Sequence, residues 1–307
     1  MDEIFRRSSK NPILTARMWP YPCHAVFNPG VVKYNGNVYL LCRVETVDGF
    51  SHLTLARSQD GLTNWQIAPS PTLLPDPAHD EERWGIEDPR IVYLEDMKQY
   101  AVTSVSFSAG GPLISLYLTS DFASFRWMGP MVPPEDKDGA LFPRKFNGEY
   151  CLIHRPIIRN EGHIWISSSP DLLHWGHHQM LLPARGGQWD SHRVGLGCPP
   201  IETEEGWILI YHGVRYTTAL PIYRVGLALL DRDDPRRVIA RTPGWVFAPT
   251  EEYERMGNAL NVVFPTGYVQ TDDPDTLLVY YGCTDTCISA ATVSIGDMLT
   301  VLRSCRI

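Results

Sequence analysis

Asp88 precedes Pro89 and Arg90 in a sequence whose other ionisable residues at strand ends are mostly basic. Arg43, Arg57, Arg144, Lys145, Arg155, Arg193 and His212 fall at such places, against few carboxylates, chiefly Asp88, Asp190 and Asp285. An inverting glycosidase that uses water needs two carboxyl groups, one as acid and one to activate the water. An enzyme that attacks with an inorganic oxyanion needs only the acid. Its nucleophile arrives ionised and must be held by Arg, Lys and His donors, not deprotonated. One acid among many cations therefore predicts phosphorolysis, with inorganic phosphate as co-substrate.

Residues this far apart must be gathered by the fold, and the sequence repeats. Five polar turns, at Asn35-Gly36, Glu95-Asp96, Asn147-Gly148, Glu204-Glu205-Gly206 and Thr271-Asp272-Asp273, each precede an apolar strand such as Trp207-Ile208-Leu209-Ile210-Tyr211-His212. A third strand then runs into a further turn. A period of roughly 50 to 65 residues predicts one four-stranded antiparallel blade per repeat, hence an all-β fold, a five-bladed β-propeller, over residues 1–307 as one domain. Helix is expected only in short pieces, near Glu251–Met256 and Ile295–Arg303.

In a propeller the inner strands and their loops face a central funnel, and such loops carry chemistry more often than packed sheets do. The inner-strand entries are read as Phe27-Asn28-Pro29-Gly30, Glu87-Asp88-Pro89-Arg90, Phe142-Pro143-Arg144-Lys145, Gly197-Cys198-Pro199-Pro200 and Val263-Phe264-Pro265-Thr266. Each has a proline, which suits a strand start where no ladder donor is lost. This register puts Asn28, Asp88 and Arg144 near one rim. Second strands bring Arg43, His154-Arg155, His212 and Asp285, and a loop adds Trp189-Asp190-Ser191-His192-Arg193.

Composition sets limits. The 307 residues are 44% hydrophobic and 11% aromatic, ample for a packed core, and 25 Pro with 24 Gly suit a turn-rich β protein. A net charge of −8 argues against nucleic acid as a partner. A local basic pocket can still hold a small anion, because screening confines charge effects to about 10 Å. Seven cysteines without metal-type spacing, no apolar leader at Met1–Arg7 and no spanning segment lead to expectations of a reduced, cytoplasmic protein with no membrane partner and no metal. Closed propellers often associate through outer strands, so a homo-oligomer is allowed.

The same residues resemble glycoside hydrolase family 130, the β-mannoside phosphorylases. The resemblance runs through Asn11-Pro12-Ile13, Phe27-Asn28-Pro29-Gly30, Ala56-Arg57-Ser58, Glu87-Asp88-Pro89-Arg90, Leu141-Phe142-Pro143-Arg144-Lys145, His154-Arg155-Pro156, Trp189-Asp190-Ser191, Ile210-Tyr211-His212-Gly213 and Asn261-Val262-Val263-Phe264-Pro265. It implies a five-bladed propeller and reversible, inverting phosphorolysis of β-mannosides, yielding α-mannose 1-phosphate and an acceptor sugar, with no organic cofactor. It implies Asp88 as general acid, its proton passing through the mannose 3-hydroxyl in members acting on β-1,4 links. It implies phosphate binding by Arg155, Arg193 and His212, with Arg144 beside them. Asn28, His163, Tyr223 and Asp285 match positions that contact mannose or line its subsite, and Arg43, Arg57 and Asp190 join the substrate set by their place in the funnel. The chain departs from the family at Arg193, where Lys is common, and at Cys283-Thr284-Asp285-Thr286, where Ala-Ala-Asp-Thr is common. Pro133–Pro143 resembles members acting on β-1,2-mannosides, while linkage stays open between β-1,2 and β-1,4.

Plainer roles compete. Asp88 could cap a turn before Pro89. Arg57 fits the funnel or an ion pair with Asp60, and His154 fits a buried strand histidine. Trp84 and Trp189 are the sugar-stacking candidates. A hydrolase of the same fold is the alternative activity, with Asp190 or Glu87 as its second carboxylate. A non-catalytic sugar-binding propeller is the third.

Overall fold

The computed structural model describes residues 3–159, 161–218 and 220–307. Its strands form the five blades of a β-propeller. Blade one is Ala25–Tyr34, Asn37–Glu45, Ser51–Ser58 and Gln66–Ile67; blade two is Gly85–Leu94, Gln99–Ser108, Gly111–Thr119 and Arg126–Pro130. Blade three is Asp136–Leu141, Tyr150–Ile158, Ile164–Ser169 and Gly176–Leu182. Blade four begins with Arg193–Leu196 and Ile201–Thr203, both paired to Gly206–Tyr216, and continues with Pro221–Leu230 and Val238–Arg241. Blade five is Val263–Gln270, Thr276–Cys283 and Cys287–Ser294.

The outer positions of blade five are filled from the start of the chain. Arg6–Arg7 and Leu14–Thr15 both pair antiparallel with Cys287–Ser294, so the ends of the sequence close the ring. Closure hides an edge that would otherwise template foreign strands. Short helices occur at Glu252–Arg255 and Ile295–Arg303, as the sequence leads one to expect.

The middle strands are apolar on both faces because each blade packs between two others. On Gly206–Tyr216, Trp207, Leu209 and Tyr211 join Phe142, Ile153 and Ile166 of blade three. The alternate residues Ile208 and Ile210 join Val279 and Tyr281 of blade five. Successive side chains point to opposite faces, so one strand supplies two cores. Removing a side chain as large as Trp207 from such a core costs about 3–5 kcal/mol.

The device that aims functional groups at the axis is a bulge near the start of three inner strands. Register shifts between Phe27 and Gly30, between Glu87 and Arg90, and between Lys137 and Ala140. Inside them Asn28, Asp88 and Asp138 adopt left-handed backbone, with φ of 44°, 46° and 59°. Asn and Asp tolerate that region better than other residues with a Cβ, and a bulge re-aims the side chain it carries.

Blade three therefore corrects the sequence register. Its inner strand is Asp136–Leu141, and Phe142-Pro143-Arg144-Lys145 lies just beyond its far end. The funnel motif there is Lys137-Asp138-Gly139-Ala140, with glycine in the slot where blades one and two have proline. Following the prolines picked the wrong four residues.

Candidate active site

The bulges of blades one to three and the second strands of blades one, three and four converge on a funnel cavity of about 250 Å³. Its polar wall comprises Asn28, Arg43, Asp88, Lys137, Asp138, Arg155, Arg193, His212, Tyr223 and Asp285, with Ile157, Ala259, Val262 and Phe264 completing it. A larger groove of about 730 Å³ surrounds Arg57 and Asp60, but it gathers none of these groups.

On one side lies the acid. Asp88 Oδ1 accepts from Asn28 Nδ2 at 2.9 Å and from an Arg43 terminal nitrogen at 3.1 Å. Arg90 donates to the Asp88 carbonyl at 2.7 Å, holding the bulge. Burial pushes the Asp88 carboxyl up, but Arg43, Arg90, Lys137 and the Asn28 bond outweigh it and hold it below the usual range. Arg43 and Lys137 are also tied to Glu87, at 2.8 and 3.1 Å. Asp285 behaves oppositely. Burial, assisted by Asp88, Glu45 and Glu87 and opposed by Arg43, raises it to about 6.

On the other side lies a nest of donors. Arg155 Nε donates to Asp138 Oδ2 at 2.5 Å, and His212 Nε2 lies 3.6 Å from the same oxygen. Burial pushes Asp138 up, yet Arg155, His212 and Arg90 hold it ionised, well below its ordinary value. Arg193 bonds the Tyr223 hydroxyl and lies over its ring, 5.4 Å from the centroid. His212 is lowered to about 3, first by burial and then by Arg155, Arg193 and Arg90 against the opposing pull of Asp138. Its imidazole is neutral near pH 7. His212 Nδ1 and Asn28 Oδ1 are buried without a hydrogen-bond partner among the described residues. Buried polar atoms normally have partners, so a ligand is the expected complement.

The chain matches the profile of glycoside hydrolase family 130, described as beta-1,4-mannooligosaccharide phosphorylase, over residues 4–304. The chain belongs to glycoside hydrolase family 130. It is 34% identical to a beta-1,2-mannobiose phosphorylase of Listeria innocua, across 97% of this chain and 98% of that one. It is 32% identical to a beta-1,4-mannooligosaccharide phosphorylase of Ruminococcus albus, across 98% and 92%. The solved complex of the Listeria innocua beta-1,2-mannobiose phosphorylase with beta-1,2-mannobiose superposes with a TM-score of 0.90 at 33% identity, covering 98% and 99% of the two chains.

Within this family 130 chain, the funnel brings together Asn28, Arg43, Asp88, Arg155, Arg193, His212, Tyr223 and Asp285 from the sequence reading. Four expected residues lie elsewhere. Arg144 sits at the far end of its blade, paired with Glu202 at 3.1 Å and stacked 4.5 Å over Phe146. The register correction in blade three moved it there. Arg57 donates to Gln66 at 2.9 Å in the polar outer groove. Asp190, fully buried, pairs with Arg185 and Arg241 at 2.8 Å each and accepts from Tyr211, which makes it a structural ion cluster. His163 accepts the Ala184 N–H at 3.0 Å, beside the wall but not lining it.

Sequence reasoning missed Lys137 and Asp138 as wall residues. The usable signal was an Asn or Asp before Pro or Gly at the same place in successive repeats, which a search for proline alone overlooks. The funnel wall holds three carboxylates, Asp88, Asp138 and Asp285, with Asp138 in place of the expected Asp190. Asp138 is committed to Arg155, whose Nε–H it accepts.

Proposed function

We propose that this chain is an inverting β-mannoside phosphorylase, acting on a β-1,2- or β-1,4-linked mannoside with inorganic phosphate and releasing α-mannose 1-phosphate and an acceptor sugar. The observation that carries this reading is Asp88 facing Arg155, Arg193 and His212 across one small funnel. Phosphate held by those donors attacks the anomeric carbon from the face opposite the leaving group. The new C–O bond to phosphate forms as the glycosidic bond breaks, and the proton from Asp88 ends on the acceptor's oxygen. By the family resemblance, the mannose 3-hydroxyl carries that proton in members acting on β-1,4 links.

Electrostatics give the order of events a physical basis. Held ionised by Arg43, Arg90 and Lys137, Asp88 is ready as the base of the synthetic direction. A phosphate dianion held by Arg155 and Arg193 adds negative charge across the funnel and opposes the pull of Arg43, Arg90 and Lys137 on the Asp88 carboxyl. Phosphate binding therefore favours proton uptake by Asp88, which arms the acid for phosphorolysis. The neutral His212 offers Nδ1 to a phosphate oxygen by hydrogen bonding rather than charge.

Asn28, Arg43, Tyr223 and Asp285 are assigned to the mannosyl unit, and Asp138 to holding Arg155 in place. Neither an organic cofactor nor a metal ion has a part in the proposed reaction. Among the described residues, no helix is long and apolar enough to cross a membrane.

A hydrolytic reading is favoured by one observation, the raised Asp285 carboxyl, which could activate water. Measuring sugar release across a phosphate series separates the two. Release proportional to phosphate, with mannose 1-phosphate as product, is expected; release at an undiminished rate without phosphate would establish hydrolysis. Reverse synthesis from mannose 1-phosphate with a panel of acceptors, followed by linkage analysis, fixes the bond type.

A further inference from the structure

Of the two tryptophans that the sequence offers for sugar stacking, the fold leaves only Trp84 at the surface. Trp189 is buried and stacks on Tyr211, whereas Trp84 is 44% exposed. Its position is fixed from two directions. The Trp84 N–H donates to the Phe107 carbonyl at 2.8 Å, and the two rings meet edge to face with centroids 5.3 Å apart. The loop before it is pinned by Glu82, wholly buried, which accepts the Asp76 N–H at 3.0 Å and bonds the Tyr117 hydroxyl. An exposed indole held in this way loses little freedom when a ligand covers it.

Two lines of contact tie Trp84 to the acid side of the funnel. The first runs through Phe107, whose ring centre is 5.7 Å from Lys137 Nζ. Lys137 lines the cavity and pairs with Glu87, the neighbour of Asp88. The second runs through Gly85, which bridges in parallel to Ser51. A Cβ on Gly85 would lie 2.7 Å from the Ser51 backbone, so only glycine allows that approach. Ser51 Oγ accepts from Arg43 Nε at 3.0 Å, and Arg43 holds Asp88. In an inverting displacement the leaving sugar departs from the face opposite the nucleophile. That is the side of Asp88 and Trp84, away from Arg155, Arg193 and His212.

We propose that Trp84 is a sugar platform on the acceptor side of the funnel, its ring covering the apolar face of the leaving saccharide while Lys137 donates to a hydroxyl. This rests on the phosphorylase reading, and the preferred acceptor is then a saccharide of at least two units. A pyranose shows C–H groups on its face and hydroxyls round its edge, so an aromatic ring near an ammonium matches it. Lys137 has donors to spare, since an ammonium carries three and Glu87 takes one. Trp84 stands one ring beyond Lys137 and outside the cavity wall. The unit it meets therefore lies further out than the sugar bonded to the mannosyl group. A single exposed aromatic is ordinary on a protein surface. The buried carboxylate bracing its loop and the two ties to the wall set this one apart.

Synthesis from mannose 1-phosphate tests this by comparing single-sugar acceptors, mannose and glucose, with β-1,2- and β-1,4-mannobiose. The wild-type enzyme should favour a disaccharide in kcat/KM. Trp84→Ala should cut that preference by about threefold to tenfold, the scale of one aromatic contact, through KM rather than kcat. Trp84→Phe should restore part of it, because the ring returns. A general loosening of the loop would weaken both kinds of acceptor alike and leave their ratio intact. A wild-type enzyme with no preference for a disaccharide, or a ratio unmoved in Trp84→Ala, would overturn the platform alone. If the wild-type enzyme transfers mannose to none of these acceptors, the phosphorylase reading itself fails.

Discussion

Asn28 and Asp88 occupy the same place in consecutive blades, each at positive φ in a bulge, and the Asn28 amide donates to Asp88 Oδ1 at 2.9 Å. The bond stabilises the ionised form of Asp88. Asn28→Asp would replace that donor by a like charge, so the pair would share one proton and the Asp88 titration would move up. An acid must be protonated to act, so the alkaline limb of the phosphorolysis profile should shift to higher pH. A pH–rate series with saturating phosphate checks it; a limb that stays put or moves down would contradict the pairing.

Asp88→Asn removes the proton without changing shape. A positioned general acid contributes about 10²- to 10⁴-fold, and a loss of that size is expected in both reaction directions. Phosphate affinity, read by calorimetry, should fall no more than about twofold, or improve as the negative charge leaves. Retention of activity would assign the acid to another group, with Asp285 first in line.

Asp285 should cost stability at neutral pH. Its folded-state value is raised to about 6 from an ordinary 3.8, so the native state prefers the protonated form. The penalty is absent at low pH, grows as pH rises from about 4 to 6, and is complete above that. Asp285→Asn should therefore be more stable than wild type by about 1–3 kcal/mol at pH 7.5, with the gap closing toward pH 4. Denaturant titrations at the two pH values measure it. Activity should drop in the same variant, because the side chain faces the funnel.

Arg144 and Arg155 make a contrast pair. Arg155→Ala should raise the phosphate Michaelis constant by more than about tenfold, the scale of a lost charge-assisted contact. Arg144→Ala should leave it unchanged, since that guanidinium is spent on Glu202 and the Arg232 carbonyl. Initial rates across phosphate concentration decide both.

Asp190 should prove structural. Its carboxylate, fully buried, faces Arg185, Arg241 and the Tyr211 hydroxyl. Replacing it by Ala leaves the buried Arg241 guanidinium without its carboxylate, at a cost of about 3–5 kcal/mol. The readout is a lower unfolding midpoint, while the Michaelis constants of the surviving folded enzyme stay near wild type.

The repeat was legible because blade strands are local. A turn, an apolar run and a second turn are written in consecutive residues, so five blades and the C-terminal helix could be read directly. Asn28, Asp88, Arg155 and His212 were legible as a set because each stands at a repeated strand end and in a family motif, and Arg193 because it follows Trp189-Asp190-Ser191 where the family commonly has Lys. The donation of Arg6–Arg7 and Leu14–Thr15 to blade five was not, since it joins residues almost a full chain apart.

The tertiary structure alone decided that Lys137 and Asp138 share the funnel and that Arg57, Arg144 and Asp190 do not. In blade three a glycine stands where the first two blades use proline, so Asp138 and Lys137 enter the wall and Arg144 leaves it. Sequence specifies residue type and local backbone tolerance. Whether a charged side chain meets a ligand, or another side chain as Asp190 does, depends on the register of strands paired across the sheet. A one-residue bulge changes which way every group beyond it points.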